Sequence, residues 1–269
     1  GFEGGFIDAV GRFGYFVPHY AGANSGHLVR VSLDDFSTVE VLDLTAHDPT
    51  LQGFKGGFSE GRYGFLVPHF NGDSVNSQPS GKVVRVDLHD FTRSGVQVLD
   101  LSMIDYDLRG FEGGVSDGVY GYLVPHWHFT AKGKVPRIDL QDFTAKNVSI
   151  LDLTATDPDL RGFDGAFAVG DYIYFVPRYN GVAFGKTARV DRRDFASVEV
   201  LDLSKTDSDL KGFSGGFTDG TYGYYVPRWN GAAFGKIARV ELATFAHIDV
   251  HVDVLDVSSL DPALRGFSG

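Results

Sequence analysis

No cysteine occurs among the 269 residues, which excludes disulfides, thiolate metal sites and a cysteine nucleophile. Positive charge is in deficit. Lys and Arg number 24 against 35 Asp and Glu, and the net charge of −11 argues against nucleic acid or an anionic membrane as partner. No apolar run approaches the ~20 residues that span a bilayer. A phosphate loop, a dinucleotide fingerprint and a Gly-x-Ser-x-Gly elbow are all missing from the contexts they require. No signal peptide is present and the chain opens at Gly1 in mid-repeat, so a processed or trimmed N-terminus is expected.

Glycine, by contrast, is abundant at 35 residues, and 43% of the chain is hydrophobic, enough for a large core. Both are organised by self-similarity. One unit recurs: Gly-Phe-x-Gly-Gly-Phe, an Asp-Gly-like turn, Tyr-Gly-Tyr-x-Val-Pro-x-aromatic, a loop, Gly-Lys-x-x-Arg-Val-x-Leu, Asp-Phe, Val-x-Val-Leu-Asp-Leu and Asp-Pro-x-Leu. Its copies span 1–52, 53–109, 110–161, 162–211 and 212–265, and a stub, 266–269, restarts it. The stub duplicates the opening, so the two segments are expected either to lie near each other or to mark a cut from a longer repeat chain.

Each copy reads as four short strands. Tyr222, Tyr224 and Val226 alternate as on a half-buried strand, and Asp219-Gly220 is a hairpin turn signal. The Asp-Pro-x-Leu segments suit helical turns, with Asp as cap and Pro at the first position. Four-stranded units of ~40–50 residues joined in series are the sequence mark of a β-propeller. The expectation is an all-β, five-bladed β-propeller with four antiparallel strands per blade, residues 1–269 forming a single domain. The chain resembles β-propeller repeat proteins over its whole length, and kelch-type repeats in unit length and paired glycines. That resemblance implies a ligand site over the channel, on the face shared by the inner-strand starts and the loops after the second strands.

Positions alike in all copies are read as structure. Arg30, Arg85, Arg137, Arg189 and Arg239 are expected to pair with Asp43, Asp100, Asp152, Asp202 and Asp256. Phe36, Phe91, Phe143, Phe195 and Phe245 are expected to plug the core.

The x of Val-Pro-x divides three to two and carries the functional clue: His19, His69 and His126, then Arg178 and Arg228. Three imidazoles suit one divalent transition metal (Zn, Fe, Mn or Cu) with an open position, with His128 as a candidate fourth ligand. The bland alternative is hydrogen bonding of these histidines to loop carbonyls. Arg178 and Arg228 have the planar fork that binds carboxylate or phosphate, unless a neighbour such as Asp164 claims them. A further ring, the x of Gly-Phe-x-Gly, varies freely: Glu3, Lys55, Glu112, Asp164 and Ser214. Glu112, Glu3 and Asp164 are candidate catalytic carboxylates, or the ring is a solvated rim. Trp127, Tyr179 and Trp229, with Tyr20 and Phe70, follow the Val-Pro-x sites as candidate pocket walls. The long loop after His69, including Ser74 to Ser80, is a candidate flap.

The leading functional expectation is a metal-dependent enzyme, hydrolase or lyase before oxygen chemistry, acting on a small anionic molecule. A metal-free glycosidase using axial carboxylates is the second, as some five-bladed propellers are glycosidases. A carbohydrate- or protein-binding module is the third; the three-to-two split favours a single asymmetric site over such a multivalent surface.

Overall fold

The computed structural model describes residues 1–71 and 78–268; most of the candidate flap, Ser74 included, lies outside them. Among the described residues there are five four-stranded antiparallel sheets, one per repeat, and two two-stranded ribbons. The protein is all-β with a propeller-like repeat fold. Two compact units divide the chain: Gly1–Leu123 with Pro136–Ile150, and Val124–Val135 with Leu151–Gly269.

In the first unit, one sheet consists of Phe2–Ile7, Phe13–Pro18, His27–Ser32 and Val39–Asp43, hydrogen-bonded in chain order. The next consists of Phe54–Glu60, Tyr63–Pro68, Lys82–Asp87 and Val96–Asp100. The second unit repeats the pattern with Phe163–Val169, Tyr172–Pro177, Lys186–Asp191 and Val198–Asp202. Its last sheet is Phe213–Thr218, Tyr222–Pro227, Lys236–Glu241 and Val252–Asp256. The third repeat begins with Phe111–Ser116 in the first unit, and its later strands pass through the chain positions that divide the two.

The opening Gly-Phe-x-Gly-Gly motif builds a β-bulge. Register shifts between Phe2 and Gly5, Phe54 and Gly57, Phe163 and Ala166, and Phe213 and Gly216. The first motif glycine after x takes a positive φ, 78° at Gly4 and 74° at Gly215, which a side chain would oppose. A bulge re-aims the side chain it contains. The variable x residue therefore leaves the regular alternation of its strand.

Packing between consecutive repeats uses one recurring device. In the first unit, a Cβ added at Gly64 would come within 2.7 Å of the Phe6 ring. In the second, a Cβ at Gly223 would come within 2.7 Å of Phe167. The bare backbone of one repeat is thus the seat for a phenyl ring of the repeat before it. Arginine completes the joint. Arg30 donates to Leu88 O at 3.0 Å and lies between the Phe13 and Phe91 rings, 4.5 and 4.4 Å from their centroids. Arg189 donates to Leu242 O at 2.9 Å, with Tyr172 and Phe245 at 4.1 and 5.0 Å. Each such desolvated cation–π contact contributes about 1–2 kcal/mol.

These arginines correct one expectation. Their carboxylate partners are Glu40, Glu199 and Asp253, residues directly opposite on the outer strand. Asp43, Asp100, Asp152, Asp202 and Asp256 instead cap 3-10 turns, accepting from the backbone N–H of Thr45, Ser102, Thr154, Ser204 and Ser258. A carboxylate two residues before a Thr or Ser satisfies an otherwise orphaned N–H more closely than it can reach a guanidinium on the adjacent strand. Phe36 is a second correction. Phe143, Phe195 and Phe245 are buried plugs, whereas Phe36 is exposed.

The Asp-Pro-x-Leu turns carry their own ion pairs. Lys82 Nζ lies 2.7 Å from Asp48 Oδ2, and Lys186 and Lys236 make the same contact with Asp157 and Asp207 at 2.8 Å. Burial opposes the charged form of Asp48, but Lys82 and Thr50 outweigh it and hold the carboxyl at about 2. Asp157 and Asp207 are also lowered, chiefly by Lys186 and Lys236. A carboxyl depressed on folding stabilises the protein above its unfolded value of about 4, and this is lost as pH falls through the folded value. Urea midpoints should therefore drop between about pH 4 and pH 2, and Asp48→Asn should flatten part of that slope. An unchanged slope would show that the turns contribute nothing.

Candidate functional site

The bulge places the x residues beside the Val-Pro-x side chains. In the first unit, Glu3 Oε2 lies 3.1 Å from His19 Nε2. Lys55 Nζ lies 3.0 Å from Glu3 Oε1 and also pairs with Glu112 Oε1. His69 Nδ1 stands 3.7 Å from Glu112 Oε2, and the His19 and His69 rings are 5.9 Å apart. Glu112, only 3% exposed, is no part of a solvated rim, and Asp164 and Ser214 are buried as well. Burial lowers the Lys55 pKa, but Glu112 and Glu3 more than reverse this and raise it above the ordinary lysine value. Lys55 thus brings a fixed positive charge between the two carboxylates.

The three histidines share one anchor. Their Nδ1 atoms bond to the carbonyls of Phe54, Phe111 and Phe163 at 2.8, 2.9 and 2.9 Å. His19 and His69 belong to the first unit and His126 to the second. Among the described residues, no group of three or more His, Asp or Glu side chains could hold a metal ion. His128 is buried beside Phe129 on the short strand Trp127–His128. The strand bearing Val124 ends at Pro125, so alternation does not carry from His126 to His128.

In the second unit, a cavity of about 580 Å³ is lined by His126, Trp127, Arg178, Tyr179, Arg228 and Trp229, with small residues between them. Its volume lies in the usual range for small-molecule sites. Trp229 N–H donates to Gly212 O at 2.9 Å, while any Cβ at Gly212 would stand 1.7 Å from Trp229 O. Glycine is therefore needed to seat this wall. Trp127 and Tyr179 approach each other with ring centroids 6.2 Å apart.

The two arginines are not equivalent. Arg178 donates to Asp164 Oδ2 at 2.6 Å, the neighbour named by sequence as its competitor for a ligand. Arg228 is 3.9 Å from the same oxygen and donates to Ser214 Oγ at 3.3 Å, its one side-chain hydrogen bond among the described residues. Ser214 in place of an acidic x residue leaves the Arg228 fork largely unclaimed. Sequence reasoning assigned no role to Lys55 or Ser214, although the charge reversal and charge loss within the x ring were visible signals.

Repeated four-stranded sheets and a cavity beside the Val-Pro-x side chains define a propeller-like repeat protein. No family model matches the chain, and no curated protein resembles it in sequence. Among solved structures it is similar to the hydrazine synthase of Kuenenia stuttgartiensis, with a TM-score of 0.59 and 13% sequence identity. That likeness covers 90% of this chain and 64% of the other, and at this identity it is one of fold.

Replacing Lys55 with Met should remove the buried cation that pairs with Glu112 and destabilise the protein in urea unfolding. Adding Glu112→Gln to Lys55→Met should restore much of the loss. A Lys55→Met protein as stable as the parent would contradict the buried ion pair.

Proposed function

We propose that the second unit binds a small anionic molecule in the cavity walled by Trp127, Tyr179 and Trp229, with Arg228 taking the anionic group. The observation that carries this reading is the state of Arg228. A guanidinium has five N–H donors, and here Asp164 is engaged by Arg178 at 2.6 Å while Arg228 makes one long bond to Ser214. A carboxylate or phosphate accepting two parallel N–H bonds is the natural complement. The aromatic walls suit a flat ring or the apolar face of a sugar.

Arg178 engages Asp164, and this carboxylate oxygen stands 3.9 Å from the second arginine, outside hydrogen-bond distance. His126, anchored through Nδ1 to Phe163 O, adds a polar group at the same wall. This reading requires no metal, and every residue it uses lies in the second unit, so it does not depend on closure of five repeats into one ring. A hydrolase or lyase role for Glu3 and Glu112 would need substrate to displace Lys55, which is tied to both. Binding, rather than turnover, is therefore the function assigned.

Calorimetry with benzoate and phenyl phosphate, against neutral benzyl alcohol, tests the proposal. Both anions should bind and the alcohol should not. Arg228→Lys keeps the charge but loses the fork, and should weaken anion binding about tenfold or more with little change in melting temperature. Equal binding of the alcohol, or indifference to Arg228→Lys, would sink it.

A further inference from the structure

The fourth and fifth repeats differ at one point that bears on the cavity. In the fourth, the x residue is Asp164 and the Val-Pro-x residue is Arg178, whose Nη1 donates to the carboxylate at 2.6 Å. In the fifth, the same two positions hold Ser214 and Arg228, and Arg228 Nη1 donates to the hydroxyl at 3.3 Å. The backbone around them is alike. Both opening strands shift register at the bulge, and the glycines after the x residues, Gly165 and Gly215, have φ of 85° and 74°. Serine in place of aspartate therefore takes away one carboxylate and leaves the guanidinium in the corresponding place.

Arg228 keeps its charge without an acid of its own. The Asp164 oxygen 3.9 Å away is already engaged by Arg178. The Arg228 side chain is also the more open of the two, 37% exposed against 23% for Arg178. Ser214 is buried and is not among the residues that line the cavity, whereas Arg228 is. The serine thus acts on a ligand through the guanidinium it touches, and not by shaping the wall.

We propose that Ser214 is the specificity-determining residue of this cavity and that it selects a singly charged carboxylate. The proposal rests on the reading that the cavity takes an anion at Arg228. One guanidinium that lacks its own acid is matched by one negative charge. A second charge on the ligand would be drawn toward the Asp164 carboxylate, 3.9 Å from Arg228, and repelled by it. The fourth repeat supplies the template, since Asp164 on Arg178 is a carboxylate held by a guanidinium at the same position of the unit.

Calorimetry at about pH 8 compares benzoate with phenyl phosphate, mostly a dianion there because a phosphate monoester loses its second proton at about 6. Benzoate should bind more tightly, by about tenfold. Ser214→Asp gives Arg228 an acid of its own, and Asp164 shows that the unit accepts one at this position. Benzoate affinity should fall about tenfold or more in this variant, with no drop in melting temperature. Ser214→Asn has the same bulk without the charge and should restore most of the affinity. An Asn variant as weak as the Asp variant, or an Asp variant that binds benzoate like the parent, would overturn the role of Ser214. Phenyl phosphate bound as tightly as benzoate by the parent would overturn the carboxylate preference and leave the anion site standing, whereas binding of neither anion would overturn both.

Discussion

The seating of a phenyl ring on bare glycine backbone is the contact on which the rest of the protein depends. It brings sheets close enough for an arginine on one repeat to reach a leucine carbonyl on the next, as Arg30 does with Leu88 and Arg189 with Leu242. With that reach fixed, the guanidinium is sandwiched between aromatic rings and kept from water, where its interactions are strongest. Tyr174 and Phe245 then meet edge to face at 5.3 Å, and Tyr15 and Phe91 at 5.9 Å. Glycine costs conformational entropy on folding, and close packing of the aromatic rings offsets it.

The same motif that supplies the glycines supplies the chemistry. Its bulge takes one residue out of strand alternation and directs it toward the Val-Pro-x position of a neighbouring strand. That residue is the least constrained in the unit, since neither the phenyl seat nor the bulge involves its side chain. Variation there changes the local charge without changing the fold. Lys55 between Glu3 and Glu112 gives the first unit a cation held by two acids. Asp164 and Ser214 give the second unit one engaged arginine and one that is nearly unclaimed.

The four-stranded antiparallel units and the separation of variable from uniform positions were legible in the sequence, because five copies serve as their own alignment. The side-chain partners were less so. Arg30 and Asp43 are equally uniform, yet Asp43 serves the turn after its strand and Arg30 pairs with Glu40, a position that is Gln97 and Asp253 in other copies. Uniformity shows that a residue is needed, and the partner must be read from register: Arg30 lies opposite Glu40, while Asp43 lies opposite His27. Phe36 misled for another reason, since the plug position is exposed in the first copy although it is buried in the third, fourth and fifth. Lys55 was hidden because a single reversal of charge among acids has meaning only once the bulge brings those side chains together.

Alanine at Gly223 and at Gly14 provides the most direct measurement of this account. Both glycines have ordinary strand backbone, so the entropic effect of an added methyl is shared and the difference between the two variants reports the space around each. At Gly223 it would collide with the Phe167 ring at 2.7 Å, whereas at Gly14 it would touch only Leu33 at 3.4 Å. Urea unfolding should show Gly223→Ala less stable than Gly14→Ala by about 1–3 kcal/mol. Equal effects of the two substitutions would contradict the claim that the phenyl seat holds consecutive repeats together.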